Sequence, residues 1–178
     1  MKTTRNILIL LSLAVLISTA CDELLSDLLK FNSQWYPREF SIDATDELGD
    51  VIFITDVIDA NVDSALAANG ISQENLKSVR MSDAKVTVLT DGYTFDPVTK
   101  IELFMDSPNL GKTMIAWLDT VPRGVTMIEL DLNKDDLKDY LNEESFIFTA
   151  TGYLETKVTE QVDFLAEFRY VMQGGLGQ

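Results

Sequence analysis

Over residues 162–170 every second residue is apolar: Val162, Phe164, Ala166, Phe168 and Tyr170, with Asp163, Leu165, Glu167 and Arg169 between them. A period of two belongs to a strand with one face in a core and the other in water. A helix would scatter the same residues around its circumference. This segment, taken over 158–172, therefore commits the chain to a β-sheet with a large apolar inner face. Residues 146–154 read as its preceding companion strand.

The same pattern recurs in shorter pieces. Phe40 and Ile42 alternate with polar neighbours, 43–50 reads as an acidic turn containing Gly49, and 51–55 is a second apolar run. Val79 and Met81 keep one phase, while Ala84, Val86 and Val88 keep the other. The switch at Ser82-Asp83 predicts a bulge. Ile101, Leu103 and Met105 form a strand ended by Pro108. Residues 114–118, nearly all apolar, read as a central strand buried on both faces, with Trp117 in the core. Ile128, Leu130 and Leu132 alternate with Glu129 and Asp131.

Two helices interrupt this series. The first is expected over 59–69, with Ile58, Val62, Ala65 and Leu66 on one face and Asp59 and Asp63 favouring its positive end. Gly70 suits the left-handed position beyond the last turn, with Ile71 making the hydrophobic contact after it. The second is expected over 134–142, capped by Asn133 with Asp135 and Asp136 in its first turn. Asp96-Pro97 reads as a cap and first-turn proline opening one short helical turn. Seven or eight short strands with two inserted helices predict a mainly β fold: an antiparallel β-sandwich. A lipocalin-like barrel is the runner-up.

Function classes are narrowed by what the chain lacks. It contains no histidine and one cysteine. Ser-His-Asp and Cys-His catalysis, most transition-metal sites and internal disulfides are thereby excluded. No cofactor motif is present, and no cofactor is expected. A formal charge of −15 argues against nucleic acid as a partner and against docking on anionic headgroups. Asp131, Asn133 and Asp135 have the spacing that opens a calcium loop. The position requiring glycine is Asp136, however, and the closing glutamate position is Asn142. The same residues make a helix start, which is the better reading; 59–63 repeats the spacing and fails in the same way. Paired carboxylates for glycoside hydrolysis are not singled out by spacing among 29 acids. Trp35 is the aromatic most expected at the surface.

The N-terminus supplies an address. Lys2 and Arg5 precede an apolar run over 7–17, and Ser18-Thr19-Ala20-Cys21 closes it. This is the layout of a secretory signal peptide, and it is too short for a bilayer span. Its end resembles the lipobox of bacterial lipoproteins, with Ser18 where that family usually has Leu. The resemblance implies cleavage before Cys21 and attachment of lipid to its sulfur. Ordinary secretory cleavage after Ala20 is the alternative. That Cys21 is the sole cysteine, at the position a lipobox requires, favours lipidation. Removing 20 of 178 residues, with two cations and no acids, leaves 158 residues and moves the charge from −15 to −17.

The expected organisation is a signal peptide over 1–20, a lipid-anchored linker with a short amphipathic helix over 21–37, one sandwich domain over 38–173 and a flexible tail over 174–178. In layout the mature region resembles small sandwich lipoproteins of bacterial envelopes. Expected function is a non-enzymatic binding module in the cell envelope, in either membrane. It would be held to the membrane by its lipid and would recognise a protein or envelope polymer. A carrier of an apolar small molecule and a carboxylate-based hydrolase are the alternatives.

Overall fold

The computed structural model describes residues 30–60 and 62–175. The expected signal peptide over 1–20, Cys21 and the stretch over 24–29 expected to be an amphipathic helix lie outside the described residues, as do Asn61 and 176–178. Among the described residues, ten strands form two antiparallel sheets, and two short helices lie in the connections. Neither sheet closes on itself, so the fold is the sandwich and not the barrel.

The first sheet is organised by β10 (Val162–Gly174). On one side it pairs with β4 (Leu76–Val88), which in turn pairs with β7 (Met127–Glu129). On the other it pairs successively with β2 (Tyr36–Ile42) and β1 (Lys30–Asn32). The second sheet runs in the order β3 (Gly49–Asp59), β9 (Ser145–Leu154), β5 (Val98–Ser107), β6 (Gly111–Leu118) and β8 (Asp131–Leu132). Between β7 and β8 the chain passes from one sheet to the other, with Leu130 buried at the crossing.

The core lies between the sheets, where the alternation in β10 sends Val162, Phe164, Ala166, Phe168, Tyr170 and Met172 inward. Aromatic rings fill the gap. Phe164 stacks on Phe40 at 5.2 Å, Phe40 on Phe53 at 5.7 Å, and Phe168 on Phe148 at 5.3 Å. The expected bulge is present: Arg169 pairs with Asp83 and Tyr170 with Met81, leaving Ser82 as the extra residue. Inward-facing residues are thus kept inward on both sides of Ser82.

Helix α1 (Asp63–Ala68) starts four residues later than expected, because Ile58 and Asp59 continue the ladder of β3 opposite Phe146 and Ser145. Its end is as expected. Gly70 has φ of +66°, its N–H donates to Ala67 O, and Ile71 N–H donates to Leu66 O. These are the two bonds of a Schellman ending.

Helix α2 (Lys138–Leu141) is shorter than the span read over 134–142. Asn133 does not cap it. Leu137 stands at the cap position, and Asp136 just before it accepts at Oδ1 from Lys138 N–H at 3.0 Å and from Val79 N–H at 2.9 Å. Asp96 and Pro97 form a β-turn closed by Val98 N–H donating to Phe95 O, not a helical turn.

Strand β6 is not central. It lies between β5 and the two-residue β8, and only its bulged pair Ile115 and Ala116 is buried. Trp117 is consequently half-buried, not a core residue. The domain also begins earlier than residue 38, since β1 and β2 occupy the stretch read as linker. It ends later than residue 173: Gly174 closes β10, and Gly175 N–H donates to Asn75 O.

Candidate functional site

Two surface regions gather chemistry-bearing side chains. The first lies over the bulge, on the outer face of the first sheet. Trp35, between β1 and β2, is 37% exposed. Arg169 Cζ lies 4.7 Å and Lys85 Nζ 4.9 Å from its ring centre, within cation–π range. Both cations also have acidic partners: Arg169 Nε donates to Asp83 Oδ2 at 2.6 Å, and Lys85 Nζ is 2.8 Å from Glu167. The hydrogen bond from Arg169 holds the Asp83 carboxyl below its ordinary range. The cleft bounded by Trp35, Asp83, Lys85, Glu129 and Leu132 is about 220 Å³, smaller than the roughly 300–1,000 Å³ of small-molecule sites. Its two cations are each paired with an acid, Arg169 with Asp83 and Lys85 with Glu167, so it reads as a clamp on the bulge.

The second region is strand β3. No described strand pairs with its outer edge. Edge strands in native proteins are usually short, bulged or charged, because free N–H and C=O groups recruit other strands. At eleven residues, β3 is about twice the usual strand of five to six. Its bulge at Phe53 turns that ring inward onto Phe40. Its outer residues include Ile52, 70% exposed, and Val57, 64% exposed, beside Leu48 at 60% in the preceding turn. Asp50, Asp56 and Asp59 punctuate the strand, and the nearest cation is Arg38, whose Nε is 3.9 Å from Asp56 Oδ2.

No protein-family model matches the chain. No characterised protein matches it in sequence. Among solved structures it is similar to Desmodium yellow mottle tymovirus, with 13% identity, 84% of each chain covered and a TM-score of 0.30. It is similar also to turnip yellow mosaic virus at 100 K, with 10% identity over 82% of this chain and 96% of that one, at a TM-score of 0.28. The decameric BFDV capsid protein gives 16% identity over 81% and 99%, at 0.33. Likenesses this distant bear on neither region.

Of the calcium-type residues, Asn133 and Asp135 meet in a local turn. Asp131 lies in β8 opposite Trp117. Asn133 accepts from Asp135 N–H at 3.0 Å and donates to Met114 O and to Asp135 Oδ2, so its amide is committed to a local turn. Asp59 and Asp63 share a surface cleft of about 390 Å³ with Glu143 and Glu144. Among the described residues, no group of three or more His, Cys, Asp or Glu side chains is placed to hold a metal ion.

A carboxylate hydrolase needs one acid whose proton is held more tightly than usual. The carboxylates that shift, Asp83, Glu143 and Asp163, all shift downward, chiefly through hydrogen bonds from Arg169, Ser107 and Ser41 respectively. A carrier needs space between the sheets, where the aromatic stacks sit. The clefts seen among the described residues are lined instead by loops and outward-facing strand residues. Among the described residues, no helix is long and apolar enough to cross a membrane.

The sequence singled out neither β3 nor the Trp35 clamp as a site. Residues 51–55 signalled a strand, but edge position depends on sheet order, which no local pattern encodes. Trp35 carried a usable signal as an aromatic flanked by polar residues in a connector.

Proposed function

We propose that the chain is an exported, lipid-anchored envelope protein whose sandwich binds a protein or polymer partner by its β3 edge, without catalysing a reaction. The observation that carries the binding role is β3 itself, a long edge strand whose exposed large apolar residues are Ile52 and Val57. Exposed apolar side chains beside free backbone groups are what strand addition uses: the backbone supplies affinity and the alternate side chains supply selectivity. Anchoring rests on the sequence, where the sole cysteine follows Ser18-Thr19-Ala20. A lipid at Cys21 leaves the sandwich free to act as a soluble domain beside the membrane.

Two measurements test this reading. Cells expressing the full chain and fed radiolabelled palmitate are expected to label the protein, and Cys21→Ser is expected to abolish labelling and release it from membranes. A photo-crosslinking amino acid at position 57 is expected to give a discrete adduct in those cells, while the same group at Thr87 on the opposite sheet gives none. Equal labelling of Cys21→Ser overturns the anchor. Absence of adducts at both position 57 and position 52 overturns the β3 interface.

A further inference from the structure

We infer that the segment received by β3 is an extended, cationic stretch of another protein, with Lys or Arg alternating with apolar residues. It would add as a strand along residues 54–59; this rests on the β3 interface proposed above. Phe53 bulges out of the ladder between Ile52 and Ile54, so regular pairing resumes at Ile54 and runs to Asp59. Within that stretch Val57 is 64% exposed, and Asp56 and Asp59 are exposed acids.

A second copy of the chain fits this edge poorly. Antiparallel pairing of two β3 strands would bring Asp50, Asp56 and Asp59 of each copy to strands about 4.8 Å apart. The molecules involved each carry a formal charge of −15. Arg38 is the sole cation ion-paired to a β3 acid among the described residues, at 3.9 Å from Asp56, and Lys100 acts on Asp50 only at longer range, so the acids of β3 outnumber the cations that face them. The acids therefore guard the apolar run 51–55 against self-pairing, as charges flanking aggregation-prone strands do. The same charges attract a strand of opposite sign. Opposite-charge cross-strand pairs stabilise a sheet, and like charges directly opposite destabilise it. A neighbour bearing Lys or Arg across from Asp56 and an apolar side chain across from Val57 satisfies both the charge and the exposed surface, while Asp59, on the other side of the pleat from Asp56, attracts the same cations at longer range.

The test uses the full chain in a neutral detergent with three synthetic peptides: Lys-Val-Lys-Val-Lys-Val, its Glu-Val counterpart and its Ser-Val counterpart. Amide hydrogen exchange over 54–59 is the readout. The Lys-Val peptide is expected to slow exchange there at least tenfold more than the Glu-Val peptide does, and the effect should weaken with salt, as exposed ion pairs do. The double substitution Asp56→Lys with Asp59→Lys should reverse the preference, and Val57→Lys alone should reduce protection by the Lys-Val peptide. Equal protection by all three peptides overturns the charge assignment while leaving the edge interface standing. Protection by none overturns both. A free protein that sediments as a dimer with 54–59 already protected overturns the inference in favour of a second copy.

Discussion

The ring of Phe148 in β9 lies 5.3 Å from that of Phe168 in β10, inclined to it by only 21°. Both side chains are fully buried, and each belongs to a strand flanked on both sides in its own sheet. The stack therefore joins the interiors of the two sheets. Phe168 also faces Tyr36 at 5.8 Å and Tyr170 at 5.9 Å, so its removal strips contacts from both. Phe168→Ala is expected to cost about 3–5 kcal/mol in urea unfolding. A double-mutant cycle with Phe148→Ala should return a coupling of roughly 0.5–1.5 kcal/mol. A coupling near zero would mean that the sheets are held elsewhere.

Tyr170 presents the opposite case. Its hydroxyl is buried with no hydrogen-bond partner in the structure, as is that of Tyr36, whose ring centre is 5.6 Å away. Burial pushes the proton affinity of both phenols up, so both remain neutral. A buried polar group without a partner forfeits its hydration and receives nothing in return, whereas a ring of the same shape keeps the packing. Tyr170→Phe is thus expected to raise stability, by about 1 kcal/mol, where most core substitutions lower it. A loss of stability on this substitution would show that the hydroxyl is hydrogen-bonded in solution.

Gly152 in β9 is fixed by contact and not by backbone angle. A Cβ there would lie 2.4 Å from the Phe53 ring and 2.6 Å from the carbonyl oxygen of Lys100. One obstacle is a side chain from the β3 bulge and the other is the backbone of β5. Gly152→Ala is expected to lower stability by about 1–3 kcal/mol, the usual cost of overpacking. Adding Phe53→Leu should recover only part of that loss, because the carbonyl stays in place. Full recovery would show that the ring alone sets the constraint.

The parts of the fold legible in the sequence are those written in short-range periodicity. The alternation from Val162 to Tyr170 set the inner face of β10, and the phase change at Ser82-Asp83 marked a real bulge. Gly70 followed by Ile71 marked the end of α1. Element starts were harder to read. Ile58 suits both the inner face of a strand and the apolar face of a helix, and only pairing with Phe146 decides for the strand. Residues 114–118 looked central because they are apolar, yet β8 covers only Ala116 and Trp117 on that side. The candidate site was the least legible part. Lys85 and Arg169 meet Trp35 from distant parts of the chain, and β3 is an edge only because β9 and β5 pair beyond it.

Glu143 provides a test of the acid side of the stability curve. Its carboxylate accepts a hydrogen bond from Ser107 Oγ and another, at 2.9 Å, from Asn109 Nδ2, tying the loop before β9 to the turn after β5. The Ser107 bond is the main cause holding its pKa below the ordinary value, with Asn109 second. A carboxyl that binds its proton less readily in the native state lends stability that is fully present above the unfolded pKa of about 4.3. That contribution is lost as pH falls through the lower native value. The difference in urea midpoint between wild type and Glu143→Gln should therefore hold constant above about pH 5.5 and close below about pH 4. Ser107→Ala, which removes the principal donor but keeps the charge, should narrow the interval between native and unfolded pKa and shrink the pH-dependent part of the difference. Comparing variants at each pH cancels the general effect of relieving the −15 charge, which acts on all of them alike. A midpoint difference that persists unchanged to pH 2 would mean that Glu143 titrates equally in both states and that its bonds to Ser107 and Asn109 do not favour the ionised form.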